Sequence, residues 1–253
     1  DNALSLFEVC PSKPNIPITP SHLEETVLQE DACIQVVDVS FRYSTGRPVF
    51  EHLNISFERG KATAVVGDIG SGKSTLISLL MRYQAPDSGQ IYLDGVPYDR
   101  IDPAEMRKRV FLLPQSPTLL NRSIFDNIVY GVERYVSEGE VMRLVESLGL
   151  GDFIAKAGGL EKNAGVRGSK LSGGQRQIIW LIKLFLVNPE VAVLDEPTAS
   201  LDPETKSVVA RLVVHAMRDA NRTLIISSHD KALMDEADVI VQLNPLAVTL
   251  KLD

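Results

Sequence analysis

The sequence predicts an α/β fold: a core with a mostly parallel sheet, an N-terminal antiparallel β-subdomain and an inserted α-helical subdomain. Three observations carry that expectation. Short uninterrupted apolar runs, such as Val191 to Leu194 and Thr223 to Ile226, alternate with longer helical patterns, as buried parallel strands joined by crossover helices do. Hydrophobic alternation in Ile34-Gln35-Val36-Val37-Asp38-Val39 and in Leu53-Asn54-Ile55-Ser56-Phe57 indicates antiparallel strands instead. Between the two patterns a glycine-rich loop, Gly67 to Ser74, links an apolar strand directly to an amphipathic helix.

Taken in order, residues 1–33 read as a linker, because Pro11, Pro14, Pro17 and Pro20 punctuate a polar stretch without periodicity. The folded domain is expected over 34–253. Ser44-Thr45-Gly46 turns between the first two strands, and Lys61 to Val66 forms the strand before the glycine loop, with a helix from Ser74 to Arg82 after it. A strand at Gln90 to Leu93, a turn at Asp94-Gly95, a helix near Pro103 to Lys108 and a strand at Val110 to Leu113 follow. The chain then turns helical over about 116–171, where Ser137-Glu138-Gly139-Glu140 has capping-box spacing. Asp202-Pro203 places a cap and a first-turn proline ahead of a helix through Met217, and Val239 to Leu243 reads as a last strand.

Composition narrows the class. A chain of 253 residues with 44% hydrophobic residues builds one α/β domain, and a net charge of −7 argues against nucleic acid as a partner. Cys10 and Cys33 offer neither metal spacing nor a disulfide framework. The longest apolar run, Ile178 to Val187, is broken by Lys183 and is far shorter than the ~20 residues that span a bilayer. Any spanning segment is expected on another chain or outside this sequence.

The glycine loop reads Gly67-Asp68-Ile69-Gly70-Ser71-Gly72-Lys73-Ser74, the phosphate-binding pattern that marks a P-loop NTPase core. Its backbone N–H groups and the following helix N-terminus attract phosphate oxygens. Lys73 adds a mobile charge, Ser74 offers a hydroxyl to Mg²⁺, and Thr75 continues the loop into the helix. These residues are the expected contacts for a nucleotide. Val191 to Leu194 then delivers two carboxylates, Asp195 and Glu196, to the C-terminal edge of the sheet, where one can hold Mg²⁺ and the other can orient an attacking water. An isolated Asp-Glu would be read as a solvated strand end; a phosphate loop upstream reverses that.

Leu171-Ser172-Gly173-Gly174-Gln175 adds a cap residue followed by a helix start rich in free N–H groups, suited to an anion. In this order the motifs resemble those of the ABC ATPases over Ile34 to about Leu243. The resemblance implies an enzyme that binds ATP with Mg²⁺, in which Asp195 supports the metal, Glu196 is the catalytic base and Gln115 touches the metal. It also implies that His229, shortly after the strand Thr223 to Ile226, contacts the γ-phosphate, and that Ser200-Leu201-Asp202 crosses to a partner. Tyr43 matches the aromatic residue that stacks on adenine, with edge packing as its alternative role. Ser172, Gly173, Gly174 and Gln175 would bind the nucleotide held by the opposite subunit of a head-to-tail dimer.

Gln115-Ser116-Pro117 followed by Ser123-Ile124-Phe125-Asp126-Asn127-Ile128 resembles the exporter version of the family. Ala3 to Glu8 likewise resembles the junction after an exporter's last transmembrane helix. The resemblance therefore implies a transmembrane domain as partner, on the same or another chain, and a place on the cytoplasmic face of a membrane. Departures are Val166, where exporters carry an acidic residue, and Ile178, Trp180, Ile182 and Leu184, where arginine or alanine is usual. Two alternatives stay open: a non-transport ABC ATPase, and a regulatory cassette with weak turnover. The first would need long heptads or a second cassette, and the second a lost base or histidine.

Overall fold

The computed structural model describes residues 31–244 and 247–251, apart from 45, 200 and 218–221. The proline-punctuated linker, the Ala3 to Glu8 junction, Cys10, Thr45, Ser200 and Pro245 lie outside the described residues. β1 (Ala32–Arg42) and β2 (Pro48–Glu58) pair antiparallel, with Val36 opposite Ile55 and Phe41 opposite Phe50. β3 (Ala62–Val66) leads into α1 (Lys73–Leu80). β4 (Ser88–Leu93) and the two-residue β5 (Val96–Pro97) follow, then α2 (Pro103–Arg109) and β6 (Val110–Leu113). Three helices come next: α3 (Ile124–Val129), α4 (Glu138–Ser147) and α5 (Gly151–Ala157). After these stand α6 (Gly173–Val187), β7 (Val191–Asp195), α7 (Pro203–Met217), β8 (Thr223–Ser227), α8 (Lys231–Asp235), β9 (Val239–Asn244) and β10 (Ala247–Lys251).

Two sheets result. One is antiparallel, in the order β2-β1-β4-β5; the other runs β10-β9-β3-β8-β7-β6. In the second sheet β9, β3, β8, β7 and β6 are mutually parallel, and β10 closes one edge antiparallel to β9. The uninterrupted apolar runs arise because these strands are covered on both faces. Ala192 and Leu194 of β7 belong to a core shared with α3 to α7, while Val191 and Val193 face a second core shared with α1 and the antiparallel sheet.

Helix starts follow side-chain chemistry closely. Ser123, Ser137 and Ser172 each accept the N–H of the third residue beyond, and Asp102 and Asp202 cap helices whose first residue is proline. At Ser172 the box is reciprocal: the Gln175 side chain accepts the Ser172 N–H at 2.9 Å.

The structure differs from the sequence reading in detail. β1 starts at Ala32, so Cys33 is a buried strand residue rather than linker. β5, α5, α8 and β10 carry too few residues or too weak a pattern to be read. The bulky residues of α6 have a simple account: Ile178, Ile182 and Leu184 are fully buried in the helical core.

Candidate functional site

A cleft of about 850 Å³ opens at the C-terminal ends of β3, β7 and β8. It brings together the loop residues Asp68, Gly70, Ser71, Gly72, Lys73 and Ser74, with Thr75 on the first turn of α1. Gln115, Asp195, Glu196, His229 and Tyr43 line the same cleft. Strand order explains the convergence, since β3, β8 and β7 are neighbours and each ends at the same edge.

The loop is shaped for an anion. Gly72 sits at φ 98 directly before α1, and a Cβ there would lie 2.7 Å from the Phe50 ring, so only glycine fits. The Lys73 ammonium donates to the carbonyls of Gly67 and Asp68, curling back over the loop. Ser71 Oγ is buried and has no protein partner, and Ser71 lines the cleft. An incoming phosphate would satisfy it. Ile69 at the loop tip is fully exposed.

The carboxylates differ in character. Asp195 pairs in register with Ser227 on β8, and burial pushes its carboxyl above the ordinary range, against the pull of the Ser227 hydroxyl and the Lys73 charge. Glu196 leaves the strand at φ 45, a left-handed backbone held by its N–H bond to Ser227 O at 2.8 Å. That turn directs its side chain to His229, whose Nε2 lies 3.4 Å from Glu196 Oε1. Ser74, Gln115 and Asp195 form an oxygen donor set suited to a hard divalent cation. Among the described residues no group of three or more His, Cys, Asp and Glu is placed to hold a metal.

Tyr43 is 46% exposed, with its hydroxyl 3.2 Å from Thr75 Oγ1 and its ring edge-on to Phe41 at 5.0 Å. Ser172, Gly173, Gly174, Gln175 and Asp202 do not line the cleft; Gly174 instead packs against Thr205 on α7. α6 is tied to the loop after Gln115, because Arg176 donates to Pro117 O at 3.1 Å and Trp180 Nε1 to Thr118 O at 3.1 Å. Val166 is 65% exposed, beside Arg167 in a left-handed conformation.

Sequence reasoning missed Val49, Thr198, Lys206 and Asp230, all of which line the cleft. Val49 gives no signal in the sequence, and Asp230, which caps the unread α8, gives none either. Nothing in the spacing of Lys206 on α7 marks it.

A sequence profile described as "ABC transporter" matches residues 50–199. The ABC-type transporter kk1G of Curvularia clavata is 39% identical over 213 residues, covering 83% of this chain and 16% of that protein. The ATP-dependent lipid A-core flippase of Acinetobacter baylyi is 33% identical over 241 residues, covering 94% of this chain and 41% of the flippase. A bacterial Atm1-family ABC exporter solved with ATP bound superposes with a TM-score of 0.76 at 28% identity, over 92% of this chain and 39% of the exporter. The chain thus spans well under half of these relatives' length, and among its described residues no helix is long and apolar enough to cross a membrane.

Proposed function

The chain belongs to the ABC transporter family, in its exporter branch, and from that premise we propose that it binds and hydrolyses ATP to power export across a membrane. In this reading residues 34–253 form the nucleotide-binding domain, with a helical subdomain over about 116–171, and residues 1–33 link it to a transmembrane domain. The adenine stacks on Tyr43, and the phosphates lie along 67–75. Ser74, Gln115 and Asp195 would hold Mg²⁺, which supplies charge neutralisation at the phosphates. Glu196 takes the proton of the attacking water, and His229 supports the γ-phosphate side of the site.

The observation that carries the reading is the meeting of Lys73, Gln115, Asp195, Glu196 and His229 on one cleft. The position of Ser172 to Gln175 away from that cleft supports a head-to-tail dimer, in which this capped helix start completes the site of a second copy. Mixing subunits tests it. A Ser172→Arg chain and a Lys73→Ala chain place both defects in one of two composite sites and leave the other whole. Hydrolysis in the mixture above either variant alone is expected; none at any protein concentration, with both chains folded, would exclude a site shared between copies.

A further inference from the structure

One carboxylate beside the cleft joins three segments. Asp230 Oδ2 accepts the Thr198 hydroxyl at 3.0 Å and lies 3.2 Å from Lys206 Nζ, while Oδ1 accepts the Ala232 N–H at 3.1 Å. Its own N–H donates to Ser228 Oγ at 3.0 Å. The side chain is only 11% exposed, so its bonds are made away from competing water. Burial alone would push this carboxyl up, yet Lys206, Thr198 and the Ala232 N–H outweigh it and hold it below the ordinary value.

The partners are not arbitrary. Thr198 lies two residues beyond Glu196, and Asp230 directly follows His229. Lys206 sits one turn beyond Asp202, the cap of α7. We propose that Asp230 is a positioning residue: through Thr198 and Lys206 it locks the His229 loop to the Glu196 turn and to the first turn of α7, fixing how Glu196 and His229 meet. This rests on the hydrolysis reading above. A shift of the loop ahead of α7 then reaches the Glu196 and His229 pair through a bridge of two short polar contacts.

Steady-state hydrolysis of Mg-ATP by the parent chain, Lys206→Met, Lys206→Arg, Asp230→Asn and the Lys206→Met/Asp230→Asn double variant tests it, with Glu196→Gln as baseline. Lys206→Met is expected to lower kcat about tenfold with KM within about twofold, Lys206→Arg to stay near the parent, and the double variant to be no worse than the poorer single one. Lys206 is half exposed and Asn still caps α8, so both variants should stay folded, with one cooperative melt at a temperature lowered by the lost Asp230 contacts. Unchanged kcat in both singles, independent multiplying losses, or a raised KM at constant kcat would overturn the bridge; the last would make Lys206 a nucleotide ligand. Parent turnover no higher than the Glu196→Gln baseline would overturn the hydrolysis reading and the bridge together, whereas parent turnover above it leaves only the bridge in question.

Discussion

Glu196 and His229 meet at 3.4 Å across the ends of two adjacent strands, and the contact exists because Glu196 adopts a left-handed backbone as it leaves β7. A carboxylate continuing along the strand would point elsewhere. Glu196→Gln keeps size and shape and removes only proton acceptance. It should retain ATP binding and lose about 10²- to 10⁴-fold in turnover, as read by equilibrium binding and single-turnover hydrolysis. Unchanged turnover would remove Glu196 as the base.

Tyr43→Ala should weaken ATP and ADP alike by about 1 to 2 kcal/mol, since stacking needs only an aromatic face. Tyr43→Phe loses the hydroxyl contact to Thr75 but keeps the ring, and a smaller change is expected. Calorimetry decides: equal affinities for Tyr43→Ala and the parent would leave the ring with only its packing on Phe41.

Gly174 of α6 packs against Thr205 in the first turn of α7. A Cβ there would fall 2.3 Å from Thr205 Cγ2, and a β-branched side chain has little rotamer freedom with which to retreat. Gly174→Ala should therefore cost about 1 to 3 kcal/mol in a urea melt. Adding Thr205→Ser removes the clashing methyl and should restore most of the loss; no restoration would place the strain elsewhere.

Lys183 lies between the rings of Trp180 and Tyr130, 5.3 and 5.4 Å from their centres, and burial pulls its amine down to about 8. Between about pH 8 and the ~10.4 of a free lysine the unfolded chain binds more protons than the folded one, so stability contributed here rises with pH. At pH 7 both states are protonated and the burial cost is present in full, offset in part by attraction to the rings. Lys183→Met should therefore gain most on the parent at pH 7, with the gap narrowing toward pH 10. A gap that does not vary with pH would show that the amine does not titrate in this window.

Much of this was legible in advance, for identifiable reasons. Parallel strands buried on both faces leave continuous apolar runs, so β3, β7 and β8 could be read and their shared edge inferred. Gly67 to Ser74 and Asp195-Glu196 are contiguous in sequence, and their meeting needs only strand adjacency. The bridge of Thr198, Lys206 and Asp230 was illegible because its members lie on three segments and each has a local role, as turn residue, helix surface residue and cap. β10 escaped notice because an edge strand pairs on one side only and carries a weaker pattern.

The anchoring of Arg176 and Trp180 to Pro117 O and Thr118 O has a mechanical consequence. Both carbonyls lie within three residues of Gln115, so a movement of the Gln115 loop either pulls on α6 or breaks these two bonds. α6, at 15 residues, is about 22 Å long, and the two attachments fall near its start, at Arg176, and at its midpoint, at Trp180. A displacement of the loop is therefore shared between the capped start of α6 and its middle, and reaches the Val187 end only through the helix itself.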